Sequence, residues 1–205
     1  MNEFDIKAAD WDKNQMHWDR SAAIAEKIKK QIPLDKNFSA LEFGAGTGIL
    51  SFILEDYLKE ILLIDNSAEM IRQAEEKIKY SGTNKLKTKL FDLEHQDLEG
   101  EKFDLIFTQM VLHHVTDVEL IFNRFSKILK PGGYLAVADL YEEDGSFHGD
   151  GFNGHNGFNT KDLSKSLSAK GFTDISDSKC FEINRKISET SFKKFDVFLL
   201  TARKK

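Results

Sequence analysis

The chain has one cysteine, Cys180, in 205 residues. It therefore closes no disulfide of its own, and its composition suits a reducing compartment such as the cytoplasm. Cys180 lies in a strand-like run and reads as a core filler rather than a nucleophile. Only two prolines occur, Pro33 and Pro131, and both stand where helical patterns stop. No apolar run approaches the length of a membrane span, and none opens the chain as a signal region would. A basic excess is missing too: 29 lysines and arginines against 34 acids leave a net charge of −5. The lysines are scattered, those of 77–89 coating a helix end and a strand, so nucleic acid is not expected as substrate. What remains is an ordinary globular composition, 40% hydrophobic, long enough for one domain (1–205) with a sizeable core.

What the chain does have begins with glycine. The stretch Ala40-Leu41-Glu42-Phe43-Gly44-Ala45-Gly46-Thr47-Gly48-Ile49-Leu50 follows an apolar run with three glycines at every second position. A helical pattern comes next, with Ile49, Leu50, Phe52, Ile53, Leu54, Tyr57 and Leu58 on one broad face. Strand, glycine turn and helix let backbone N–H groups approach a polar ligand closely, because no Cβ holds the ligand off. The spacing separates ligand classes. A dinucleotide fingerprint, G-x-G-x-x-G, requires glycine at position 49, where Ile49 stands, and no Lys-Ser/Thr pair serves a nucleoside triphosphate. A nicotinamide-dependent oxidoreductase is thereby disfavoured. The plain alternative is a turn that merely joins strand to helix.

Upstream, Ser21 is expected to cap a helix carrying Ile24, Ile28 and Ile32 at every fourth residue. Downstream, Ile61 to Ile64 reads as a strand buried on both faces. It ends on Asp65, 21 residues after Gly44. A carboxylate there can accept both hydroxyls of a ribose. The competing role is capping the helix that begins near Ser67, which Asn66 or Ser67 can do themselves. That helix turns Met70, Ile71, Ala74 and Ile78 inward and ends near Ser81-Gly82. A third strand, about 85–91, ends on Asp92. A fourth, 103–107, runs into Thr108-Gln109-Met110-Val111-Leu112-His113-His114-Val115. Neighbouring histidines in a loop or helix point apart and no Glu-x-x-His spacing supports them, so no metal site is expected. Thr116-x-x-Glu119 reads as a capping box for a helix burying Val118, Ile121, Phe122, Phe125, Ile128 and Leu129. Pro131-Gly132-Gly133 stops it ahead of a fifth strand over 134–140. Thr160 is expected to cap a short helix with Leu163 and Leu167, and runs near 172–183 and 193–202 alternate as an antiparallel hairpin.

The pattern Glu42-x-Gly44-x-Gly46-x-Gly48 resembles the first motif of class I S-adenosylmethionine-dependent methyltransferases, whose ligand has no pyrophosphate. Phe4-Asp5-x-x-Ala8-x-x-Trp11-Asp12 is similar to the segment that opens many of their small-molecule members. Gln109 to Val115 resembles their fourth motif, in the Leu-His-His version typical of the branch acting on quinone precursors and other small metabolites. Leu129-Lys130-Pro131-Gly132-Gly133-Tyr134-Leu135 matches the segment before their fifth strand. The resemblance implies an α/β fold: a doubly wound, mostly parallel, Rossmann-like seven-strand sheet with an antiparallel C-terminal hairpin and helices on both faces. It implies S-adenosylmethionine as cofactor, bound by Glu42, Gly44, Ala45 and Gly46, by Asp65, Asn66 and Met70, by Asp92 and Leu93 at the adenine, and by Gln109. The methyl group would pass by in-line displacement to a small-molecule acceptor, with orientation and a dry cleft supplying most of the acceleration. A general base is required only for a protonated hydroxyl or amine; His113, His148 and His155 are the candidates, with His114 beside them.

Residues 141–159 differ from the rest, interleaving glycines with His148, Asn153, His155 and Phe158. A loop this long inside a domain is functional or disordered. A mobile lid over the cleft is expected here, with a flexible connector as the alternative. The helical segment 1–33, carrying Trp11 and Trp18, is expected to cover the cleft from the other side or simply to pack its aromatics on the surface. A cofactor-binding, methyltransferase-like protein without turnover stands as the rival to an enzyme.

Overall fold

The structure, a computed structural model, describes residues 3–188 and 190–205. Apolar runs alternate with helical patterns along the sequence, and the chain winds accordingly. Strands β1 (Ser39–Phe43), β2 (Glu60–Asp65), β3 (Leu86–Leu90), β4 (Phe103–Gln109) and β5 (Leu129–Leu140) pair in parallel. β6 (Phe172–Lys186) and β7 (Phe192–Lys204) form an antiparallel hairpin, with β7 against β5. The order is β3-β2-β1-β4-β5-β7-β6, the expected seven-strand sheet. Winding reverses between β1 and β4, and a crevice opens at such a point outside the carboxyl ends of the strands.

Helices α1 (Glu3–Trp11), α2 (Gln15–Gln31), α3 (Ile49–Leu54), α4 (Ala68–Ser81), α5 (Val118–Ile128) and α6 (Thr160–Ala169) accompany the sheet. Its two faces are legible along β4. Leu105 and Phe107 join one apolar cluster and Ile106 the other, as period-two alternation requires. The first cluster takes Ile24 and Ile28 from α2 and Leu50 and Leu54 from α3. The second takes Phe122 and Phe125 from α5 and Leu163 and Leu167 from α6. Among the described residues no helix is long and apolar enough to cross a membrane.

Several boundaries depart from expectation, each for a local reason. The N-terminal segment expected over 1–33 is helical from Glu3, and its first two residues lie outside the described ones. α2 starts at Gln15, capped by the Asn14 side chain, which accepts the Met16 N–H. Ser21 is no cap: it is buried inside α2 and donates to Gln109 Oε1 at 3.0 Å. Tyr57 leaves the apolar face because α3 stops at Leu54 and a tighter turn over 55–57 rotates the ring outward, to 43% exposure. The Thr116–Glu119 capping box does not form. Asp117, a charged and stronger acceptor, takes the Leu120 N–H at 2.9 Å, and Glu119 reaches across to Lys170 and Ser166 instead. At α6 the cap is likewise one residue off, on Asn159 rather than Thr160. Pro131-Gly132-Gly133 bulges β5 instead of preceding it: Leu129 already pairs with Phe103, and Gly132 sits at φ +79° before Tyr134 rejoins at Leu105.

The corrected cap is testable. Asp117→Ala should cost about 1 kcal/mol of stability, the value of a lost N-cap acceptor, and Thr116→Ala less than about 0.5 kcal/mol. Urea unfolding of the two variants measures both, and the reverse ranking would restore the Thr116 cap.

Candidate functional site

β1 delivers Phe43 to the glycine turn, and the turn is fixed before any ligand arrives. The Ala45 N–H donates to the Ile64 carbonyl of β2 at 3.0 Å. Asp65, the last residue of β2, accepts the Gly46 N–H on Oδ2 at 2.7 Å and the Ser67 N–H on Oδ1 at 2.8 Å. Ser67 itself caps α4 by accepting the Met70 N–H, so Asp65 is not the side chain that caps the helix. Burial raises the Asp65 pKa, and the backbone N–H groups of Ser67 and Gly46 oppose that rise. Gly44, at φ +65°, packs so closely on the β4 loop that a Cβ would lie 2.4 Å from Val111 Cγ2. At Gly46, φ +55°, a Cβ would meet only Met70 Sδ, at 3.8 Å, which leaves an open cradle.

The N-terminal helices are tied onto this turn. Thr47 Oγ1 donates to Asp12 Oδ1 at 2.5 Å, and Lys77 of α4 pairs with Asp12 Oδ2 at 2.6 Å. Ser67 Oγ donates to Asp5 Oδ1 at 2.6 Å. Trp11 and Phe4 line the resulting cavity, of about 1040 Å³. Trp18 does not line it; its indole N–H donates to the Asp12 carbonyl.

Gly44, Ala45, Gly46, Asp65, Asn66, Met70, Asp92, Leu93, Gln109, His113 and His148 all line this one cavity, and so does His114. Asp92 accepts the Glu94 N–H and the His95 Nδ1–H, so the turn after β3 is held as well. Two expected residues lie elsewhere. Glu42 is wholly buried beneath the turn, where Ser51 Oγ donates to its Oε2 and burial pushes its pKa up to about 8. His155 donates Nε2–H to the Val115 carbonyl at 3.0 Å and its N–H to the His113 carbonyl at 2.8 Å, which makes it a pin for the loop.

The adjacent histidines do not point apart. Met110 takes φ +56° at the end of β4, and a tight helical turn over Leu112–His114 follows. Both rings come to one side, with centroids 4.2 Å apart. His148 arrives from the 141–159 loop at 5.1 and 5.2 Å from them. Burial lowers the His114 and His148 pKa values to about 4, and the His113 charge adds to this in both. His113 donates Nδ1–H to Asp139 Oδ1 at 2.6 Å. The loop is anchored, not a slack connector: Tyr141 bridges Phe158, Lys193 pairs with Asp144 at 2.5 Å, and Phe147 packs edge-on against Phe195.

Arg20 and Asp139 escaped the sequence reading. Arg20 is 6% exposed, lines the cavity, and has its pKa lowered to about 10 by burial against the opposing pull of Asp139. A signal was present in each case. Arg20 continues the Ile24–Ile28 stripe at the same four-residue step, and Asp139 interrupts the apolar run from Leu135 to Leu140. Charges at core positions of this kind mark a site.

A family model described as a methyltransferase domain matches residues 34–197. An uncharacterized methyltransferase of Schizosaccharomyces pombe is 36% identical over 118 residues, which are 54% of this chain and 42% of that protein. A ubiquinone biosynthesis O-methyltransferase of Bartonella tribocorum is 32% identical over 136 residues, 62% of this chain and 54% of its own length. The chain thus spans about half the length of these curated relatives. Among solved structures, phosphoethanolamine N-methyltransferase 2 of Haemonchus contortus with bound S-adenosyl-L-methionine superposes with a TM-score of 0.71 at 17% identity, covering 91% of this chain and 52% of that one.

Glu42 gives the site a pH signature. A carboxyl whose folded pKa exceeds its unfolded value binds more protons in the folded state between the two. Its contribution to stability therefore falls as pH rises from about 4.5 to about 8 and is flat beyond. Glu42→Gln, which cannot ionise, should gain stability relative to the wild type as pH goes from 5 to 8. Thermal unfolding of both proteins across that range measures the difference, and a pH-independent difference would refute a protonated Glu42.

Proposed function

The chain belongs to the S-adenosylmethionine-dependent methyltransferase family, and we propose that it transfers a methyl group from this cofactor to a small-molecule acceptor. One observation carries the proposal: the glycine turn and the imidazole cluster face the same cavity, and the chain's own α1 and 141–159 loop roof it. A roofed cleft suits a small acceptor, because closure excludes water and fixes the approach of the reacting atoms.

The residues fit the cofactor. The cradle over Gly46 has no side chain to fill it. The Asp65 carboxylate, which accepts the Gly46 and Ser67 N–H groups on separate oxygens, lines the cavity where a ribose would lie. Asp92 and Leu93 line the far side, where an adenine would lie. When bound, the cofactor supplies a methyl group on a positively charged sulfur, which departs as a neutral thioether. The chain's task is placement: Asp65, the turn and Gln109, steadied by Ser21, fix the cofactor, while the turn after β4 with His113 and the loop with His148 face the acceptor. His113 and His148 stand at the acceptor end; His155, outside the cavity, acts through the loop it pins. We assign residues 1–205 to one catalytic unit with 1–33 and 141–159 as its covers, and place it in the cytoplasm, which the single cysteine supports. Ile49 at the position of a dinucleotide glycine speaks against an oxidoreductase.

Asp65→Ala should weaken binding of the demethylated product, S-adenosylhomocysteine, by about 2–3 kcal/mol, the scale of a lost charged hydrogen-bond set. Asp65→Asn, which keeps one oxygen, should fall between. Calorimetry on the three proteins reads the effect. Equal affinities would confine Asp65 to holding the turn, and NAD binding in place of S-adenosylhomocysteine would end the reading.

A further inference from the structure

We propose that His113, His114 and His148 form a binding site for a divalent transition metal, zinc in the simplest case, at the acceptor end of the cavity. Each ring offers a nitrogen within 4.8 Å of the other two. His148 Nε2 is buried and has no hydrogen-bond partner, so the loop brings in a polar atom that nothing in the protein satisfies. Asp139, with no exposed surface, takes the Nδ1–H of His113 and thereby puts the lone pair of that ring on Nε2. A buried carboxylate behind a histidine is the arrangement that orients metal-ligating imidazoles. Asp139 also accepts the His113 backbone N–H at 3.3 Å and is held in turn.

The rings are tilted by 40°, 42° and 78° to one another, so mutual stacking does not account for their convergence. His148 stacks instead on Phe152, at 3.8 Å and 14°. Three imidazole nitrogens form a donor set suited to zinc that leaves a fourth position open. Zinc–nitrogen bonds of about 2.0–2.1 Å in a tetrahedron place the nitrogens about 3.4 Å apart. The observed limit of 4.8 Å therefore closes by at most about 1.4 Å on binding, a movement within reach of a loop residue. The fourth position opens on the cavity. There an acceptor hydroxyl or thiol would lose its proton to water as its oxygen or sulfur bonds the metal, leaving an ionised nucleophile held in place. That role rests on the methyl-transfer reading of the cavity; the metal site itself does not.

The test uses the whole chain, stripped with a chelator, titrated with Zn²⁺ against a chromophoric competitor and with Co²⁺, whose visible absorption reports its ligands. One Zn²⁺ per chain is expected, weakened at least tenfold in His114→Ala and in His148→Ala and about 10–100-fold in Asp139→Asn, with His95→Ala unchanged. S-adenosylhomocysteine affinity measured on each variant shows that the cleft is intact. His148→Ala, a loop change, carries the test should Asp139→Asn unfold. A simple phenol and a simple thiol, added separately to the Co²⁺ form, should shift its spectrum where the fourth position accepts oxygen or sulfur. Absence of Zn²⁺ binding, or binding retained in the His114→Ala/His148→Ala double variant, overturns the site; no shift with either probe overturns the acceptor role. Zn²⁺ binding without S-adenosylhomocysteine binding would support the metal and remove the methyl-transfer reading, and the reverse would do the opposite.

Discussion

The cleft depends on one carboxylate. Asp65 ends β2, and its two oxygens hold the backbone of the glycine turn and of the first residues leading into α4. The Gly46 and Ser67 N–H groups are thereby oriented, and the turn that follows β1 is fixed to the neighbouring strand. The third wall is locked by contact: Gly44 has no side chain because Val111, beyond the end of β4, occupies the space. Strands β1, β2 and β4 thus present their carboxyl ends as one surface.

The covers are held differently from the floor. Asp12, bonded to Thr47 and Lys77, and Asp5, bonded to Ser67, fasten the N-terminal helices through partly buried polar pairs. The 141–159 loop is closed at its neck by backbone bonds from Glu142 to Phe158 and from Glu143 to Asn156. Farther out Phe147 is buried against Phe195 and His155 bonds the His113 and Val115 carbonyls, while the Lys193–Asp144 pair, in which Asp144 is well exposed, lies at the surface. Surface pairs of this kind contribute little, so the buried Phe147 ring and the backbone bonds carry most of the anchoring. His148, next to Phe147 and stacked on Phe152, is held in place with them.

Much of this was legible in the sequence because it rests on local chemistry. Glycine spacing, the apolar run ending in Asp65 and the alternation of strands with helices each report a backbone requirement that few residue types meet. The caps were less legible. Ser21, Thr116 and Thr160 each had the right chemistry, but Asn14, Asp117 and Asn159 supply the caps, and Ser21, inside the helix, bonds Gln109 instead. The histidine convergence was invisible for a different reason. It depends on Met110 adopting a left-handed conformation and on Asp139 arriving from β5, 26 residues away in sequence. Pattern reading assumes regular helix or strand geometry, and at this bend neither applies.

Arg20 and Asp139 show what a pattern can still reveal when it fails. Among the described residues, buried side-chain atoms without a hydrogen-bond partner occur at four places: Arg20 Nε, Glu42 Oε1, Thr108 Oγ1 and His148 Nε2. An unsatisfied buried polar atom costs about 1–3 kcal/mol, so four of them scattered at random would be a heavy burden on a marginally stable chain. They are not scattered. Arg20 and His148 line the cavity, while Glu42 and Thr108 belong to β1 and β4, the two strands whose ends form its floor. Arg20 Nε and His148 Nε2 are thus the two of the four that a group entering the cleft can reach, whereas Glu42 and Thr108 lie beneath its floor, outside the lining.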